Sequence, residues 1–223
     1  MRSGGLVVGA LLLACALPAS AAPPVCRVIP DVRGDAAWSV APGVIPAVPA
    51  DDILSADVAS DGRTVTALLR MADVPSVDTD SPLGRRYRVT FEVGLRPTTW
   101  FLLASVTPGG AVFQYGYVDP GALPTGLDGA DVVLGTARGV VDTEHHQVRV
   151  SAPTAGFQGA RIQRGSRLVA LYASVARWVG QDMVASPAVG PVHVRPLGEA
   201  LTFDDARGDH YVVGTPSCVR VGA

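Results

Sequence analysis

Apolar and polar residues alternate through much of this chain, most clearly over Asp51–Met71, DDILSADVASDGRTVTALLRM. Leu54, Ala56 and Val58 share one face of a first run, and Val65, Ala67, Leu69 and Met71 share one face of a second. A period of two is the pattern of a strand with one buried face. Between the runs, Asp61-Gly62 predicts a hairpin with a two-residue turn whose central residues both take positive φ. Arg85–Val93 alternates more cleanly still, with Tyr87, Val89, Phe91 and Val93 on one side and Arg86, Arg88, Thr90 and Glu92 on the other. Thr98–Val106 and Ala111–Val118 follow across Pro108-Gly109-Gly110, so 85–118 reads as a three-strand meander. Val132–Val141 and Gln147–Ala152 read as a further hairpin.

Leu168–Arg177 is apolar on both sides, with Leu168, Ala170 and Tyr172 opposite Val169, Leu171 and Ala173, as in a central strand covered on both faces. Short strands are expected at Cys26–Ile29, stopped by Pro30, and at His210–Val213. Ala155–Gln163 has room for one helical turn, and 182–201 reads as irregular. One apolar face per strand requires a second layer to cover it. The expectation is an all-β fold: an antiparallel, jelly-roll-like β-sandwich of nine to eleven strands.

Composition narrows this picture. At 48% hydrophobic and 17% charged, the 223 residues can build a core, and a net charge of −2 offers no footprint for nucleic acid. The chain has no Lys and no Asn, and its acids are seventeen Asp against three Glu. Asp suits turns, and eighteen Pro with so few helix formers argue against helices.

The N-terminus reads as an export signal over 1–21: Arg2, an apolar run Leu6–Leu17 too short to span a bilayer, and Ala19-Ser20-Ala21 as the cleavage site. Residues 22–223 would then be a single secreted domain. Leu12-Leu13-Ala14-Cys15 offers the alternative of a lipid anchor at Cys15. No later stretch is long enough for a membrane helix. Cleavage leaves Cys26 and Cys218, near the two ends of the mature chain, and an oxidising compartment favours a disulfide between them.

The chain also resembles a family. Val25-Cys26, Asp31-x-x-Gly34-Asp35, Asp51–Ala59, Thr64–Ala67 and Tyr211–Cys218, in that order, resemble secreted actinobacterial sandwiches of the carbohydrate-binding family 9 and DOMON-like group. The resemblance implies a jelly-roll-like sandwich, in some members with a structural calcium near the N-terminal aspartates. Members bind sugars or haem. Haem-binding relatives use axial Met and His, and Met71, Met183 and His193 form no paired motif here.

Candidate chemistry is sparse. Asp31, Asp35, Asp51, Asp52 and Asp57 are the densest acidic group and the candidate ligands for Ca2+, which takes six to eight hard oxygens. Solvated turn aspartates are the plain alternative. Asp204 and Asp205, with Asp209, form a second group; a disulfide joining the ends would bring it toward Asp31 and Asp35, where one cation could tie both ends. His145 and His146 are adjacent on a turn and point apart. Neither G-x-S-x-G nor H-E-x-x-H occurs, so no catalytic set emerges. Sugar binding needs an exposed ring, for which Trp38 and Trp178 are the candidates; Trp100, Tyr115 and Tyr117 are also placed to serve either a platform or the core. Arg85, Arg86 and Arg88 form a basic patch, open to an acidic polymer or protecting a sheet edge by charge. The expectation is a secreted, non-catalytic binding or accessory domain, calcium-stabilised, for a carbohydrate or cell-envelope component. A structural or protein-interaction domain is the alternative, and a hydrolase the third reading.

Overall fold

A computed structural model describes residues 24–36, 47–80, 84–94, 96–119, 130–179 and 199–221. The proposed leader, Cys15 and Trp38 lie outside these residues, as does most of the stretch expected to be irregular. The strands are β1 (Ile29–Pro30), β2 (Ile53–Ser60), β3 (Thr64–Met71), β4 (Arg85–Val93), β5 (Arg96–Thr107), β6 (Gly110–Asp119), β7 (Ala130–Thr136), β8 (Arg138–Asp142), β9 (Gln147–Pro153), β10 (Arg167–Val179) and β11 (Glu199–Val212). They form two antiparallel sheets, ordered β1-β2-β3-β9-β8 and β11-β10-β4-β5-β6-β7. The architecture is the expected β-sandwich.

The core lies between the sheets and is built from the alternating positions. Tyr87, Val89 and Phe91 of β4 and Leu102, Ala104 and Val106 of β5 meet Val58 of β2, Val65, Ala67 and Leu69 of β3, and Val148 and Val150 of β9. A 3-10 turn at Thr154–Gly156 delivers Phe157 to this core, where its ring lies 5.3–5.7 Å from those of Phe91, Trp100 and Tyr115. Trp100 also meets Tyr117 edge-on, at 5.9 Å. Trp100, Tyr115 and Tyr117 are therefore core-packing residues.

The β2–β3 hairpin forms, but its turn is longer than two residues. Ser60 pairs with Val65, and Gly62 has φ +90 while Asp61 does not enter the positive region. The Asp61 carboxylate instead accepts the N–H groups of Arg63 and Thr64, both at 2.8 Å, closing the turn from its side chain. At the far end of β2 the pairing jumps from Ile53↔Met71 to Ser55↔Arg70. Leu54 is the extra residue, so Ile53 takes the core position that strict alternation gives to Leu54.

Two other strands depart from strict alternation. In β10 the register shifts between Val169 and Tyr172, at Ala170 with φ +50, so Leu168 and Leu171 both face the core. The expected single strand 132–141 is two strands in different sheets. The chain crosses between the sheets at Ala137, whose N–H donates to the Phe113 carbonyl at 2.9 Å. The last strand begins at Glu199, eleven residues before the expected start at His210.

β7 does not lie flat at its edge. Beside a register shift between Tyr115 and Gly116, it bends back over the outer face of the six-stranded sheet. A Cβ at Gly116 would sit 2.0 Å from the Val132 carbonyl oxygen and 2.7 Å from the Phe101 ring. Phe101 and Leu103, on that outer face, are buried.

The chain ends meet. Cys26 and Cys218 form the expected disulfide, with Cα atoms 5.3 Å apart. Val25 and Ser217 pair beside it, the Val25 N–H donating to Pro216 O and the Cys218 N–H to Val25 O.

Candidate metal centre

Three of the candidate aspartates converge where the two ends of the fold meet. Pro30 ends β1 and sends the chain into a turn that carries Asp31 and Asp35. Gly34 allows that turn with φ +83, and its N–H donates to both carboxylate oxygens of Asp52, at 2.9 and 3.0 Å. Asp204 arrives from β11, its Oδ2 accepting the Ile53 N–H at 2.6 Å. One oxygen from each of Asp31, Asp35 and Asp204 lies within 4.8 Å of the others.

The electrostatics of the group are unfavourable for three bare carboxylates. Burial pushes the Asp204 carboxyl up to about 7, with further upward pressure from Asp31 and Asp35. Burial also raises Asp31 to about 6; the Val32 N–H opposes the rise, and Asp35, Asp52 and Asp205 add to it. Asp31 Oδ1 accepts the Val32 N–H at 2.9 Å, while Oδ2 is shielded from solvent and accepts no hydrogen bond. The donor set is all hard oxygen on a turn beside a strand, which fits Ca2+ or Mg2+ better than a softer metal. Three carboxylates provide at most six oxygens, and carbonyls and water would complete a calcium shell.

The remaining acidic candidates do other work. Asp51 is fully buried at one end of the core, its Oδ1 3.0 Å from Arg85 Nε and its Oδ2 2.9 Å from Arg177 Nη2. It also accepts the Val48 N–H. Burial raises its pKa above the ordinary carboxylate value, and the Val48 N–H, Arg85 and Arg177 oppose the rise without cancelling it. Asp52 is the turn anchor just described. Asp57 is buried against Arg70 at 2.6 Å and accepts the Val28 N–H at 2.8 Å, tying the segment before β1 to β2. Asp205 points to solvent on the face opposite Asp204, and Asp209 pairs with the His210 ring. Asp51, Asp52, Asp57 and Asp205 therefore stand outside the convergent group.

The basic patch dissolves on inspection. Arg85 shares the inward face of β4 with Tyr87, lies fully buried, and faces Asp51 and Asp78, the latter at 3.6 Å. Burial opposes its charge, but Tyr87, Asp51 and Asp78 hold its pKa above the ordinary value. Arg86 and Arg88 point the other way and both pair with Asp131, which the fold-back of β7 carries over them; the Arg88 contact is 3.0 Å. Each of these three guanidinium groups is paired within the fold, Arg86 and Arg88 sharing one carboxylate.

The Arg85–Asp51–Arg177–Asp78 network was not anticipated. The signal for it was present: Arg85 falls in phase with Tyr87, Val89 and Phe91. His145 caps its own turn through Asp142, at 2.9 Å, while the His146 ring meets Asp73, so the two imidazoles diverge as expected. Of the two tryptophans proposed for sugar, Trp38 is outside the described residues, and Trp178 is described only as backbone in β10.

Comparison with family models, with curated proteins and with solved structures gives no match. The likeness to the family 9 and DOMON-like sandwiches thus rests on the residues quoted for it above.

Proposed function

We propose that the chain is a secreted, non-catalytic binding or accessory module, with a calcium ion clasping the two ends of its sandwich. The observation that carries this reading is the convergence of Asp31, Asp35 and Asp204, from opposite ends of the sequence. A divalent cation there relieves the mutual repulsion of the carboxylates and satisfies the buried Asp31 oxygen. Within this reading the ion is structural: it fixes the Asp31–Asp35 turn against β11. The bound partner is a carbohydrate or another cell-envelope component, in line with the resemblance. Ca2+ and Mg2+ share the hard-oxygen preference, and the larger, more tolerant coordination sphere of Ca2+ suits an irregular turn.

Thermal unfolding of the full chain, with EDTA and then with added Ca2+, tests the clasp. At a hundredfold excess over Kd, a site bound only in the folded state adds about 2.7 kcal/mol. For a chain of this size that is an upward Tm shift of about 5–10 °C. Asp204→Asn removes the shift. An unchanged Tm in both conditions ends the cation reading. A glycan array in Ca2+ tests the ligand separately, and absence of binding across it removes carbohydrate while leaving the clasp standing.

A further inference from the structure

The two sheets have four edges, and three of them are blunted. β1 is two residues long and ends in Pro30, which has no N–H to offer. β11 shows Asp205, Arg207 and Asp209 to solvent. β7 bends away over the six-stranded sheet. β8 carries a charge at each end, Arg138 and Asp142, but has no proline and no break in its register. It pairs with β9 in unbroken register from Arg138↔Ser151 to Asp142↔Gln147, and it ends the sheet order on its other side among the described residues. Arg138, Gly139 and Val140 are exposed, Val140 by 50%. Val112, Val133 and Leu134, on the neighbouring β6 and β7, are exposed apolar residues as well.

The sequence of β8, Arg138-Gly139-Val140-Val141-Asp142, is complementary to itself when reversed. An antiparallel copy related by a two-fold axis through Val140 sets Val140 against Val140, and Arg138 against Asp142 twice. Gly139 then faces Val141. Residues directly opposite in such a pair place their side chains on the same face, so both ion pairs flank the apolar contact. Asp142 remains open to such a partner: His145 holds the carboxylate, yet 37% of the side chain is exposed. Moving the axis by one residue either way leaves two residues at one end of each strand unpaired within β8 and takes Arg138 away from Asp142.

We propose that β8 is a self-association edge, at which two copies of this chain pair antiparallel through Val140 and join their five-stranded sheets into one. The interface is isologous and closes on itself as a dimer. Gly139 lets the strand approach closely on its inner side, where a Cβ would fall 2.2 Å from the Phe113 ring, so that side is already filled by the chain's own core. The dimer therefore forms edge to edge rather than face to face. A five-residue edge is smaller than the ~1,200 Å² of stable complexes, so association is weak and concentration-dependent. This inference is independent of the cation and of any carbohydrate.

Sedimentation equilibrium of the full chain, carried to about 1 mM, detects the dimer. Val140→Cys then locates it. On the two-fold axis the two introduced thiols are directly opposed, and mild oxidation gives a 140–140 bridge identifiable by peptide mass. Arg138→Cys is the control, since its symmetry mate lies about 14 Å away along the strand, beyond disulfide reach. Val140→Lys, at a half-exposed position, weakens self-association by at least about tenfold. Arg138→Glu, which faces Asp142 with a like charge, weakens it in the same direction. A monomer at every concentration, equal cross-linking of the 138 and 140 variants, or an unchanged dimer constant in both charge variants overturns the proposal.

Discussion

Asp204 shows how a single residue couples the fold to its solution. Its folded-state pKa is raised from 3.8 to about 7, so the folded chain binds a proton more tightly than the unfolded one. The stability this contributes is fully present below 3.8 and is lost as pH rises through about 7. Asp31, raised to about 6, acts in the same direction. In EDTA these two groups are therefore expected to make the full chain melt at a higher temperature at about pH 5 than at about pH 8. Asp204→Asn flattens that slope, and thermal melts at the two pH values measure it. Asp51 is a buried carboxylate that, unlike Asp204, faces two guanidinium groups. Asp51→Ala leaves Arg85 and Arg177 facing each other without it, at a cost of about 3–5 kcal/mol, read from urea unfolding. Asp209→Ala, at an exposed carboxylate, stays within about 0.5 kcal/mol. Sequence alone could place these residues in acidic groups but could not sort them. Asp51, Asp52 and Asp57 are distinguished by an arginine on another strand and by backbone N–H groups, neither of which has a fixed spacing from the aspartate.

At the scale of the element, strands are legible wherever alternation is uninterrupted. β4 runs over the residues that its pattern marks, Arg85–Val93, and the meander 85–118 has the expected partners. What the pattern misses is a change of phase. The extra residue at Leu54 and the shift at Ala170 each move a core position by one, because a bulge exchanges faces without altering composition. The crossing at Ala137 is likewise silent, since a chain can change sheets within a continuous apolar run. The fold-back of β7 depends on Gly116, and that is testable. Gly116→Ala brings a methyl group onto the Val132 carbonyl, a backbone atom that cannot rotate aside. The expected result is a loss of about 1–3 kcal/mol, typical of overpacking, measured by urea unfolding. Release of Asp131 from Arg86 and Arg88 accompanies it, and exposed guanidinium groups would register as increased binding to a cation-selective resin.

For the whole molecule, the sandwich and its terminal bridge were both visible in the sequence, the bridge because only two cysteines remain beyond the apolar leader-like run. Convergence of the two acidic groups follows from that bridge, since ends joined at Cys26 and Cys218 bring the turn at Asp31 near β11. Cys218→Ser is expected to destabilise the fold by up to about 5 kcal/mol, the loop-entropy value for a ring of this size. On the proposed calcium clasp, the same variant is expected to bind Ca2+ more weakly, because the Asp31–Asp35 turn is then held to β11 less firmly; isothermal titration of the variant against the parent checks this. Large separation has a temporal side too. Cys218 lies 192 residues after Cys26, so at ribosomal speeds of about 5–20 residues per second the first thiol waits some 10–40 s for its mate to be made. Throughout that interval the one other thiol the growing polypeptide can offer is Cys15, and where residues 1–21 are removed during translation, that wrong partner leaves before the right one arrives.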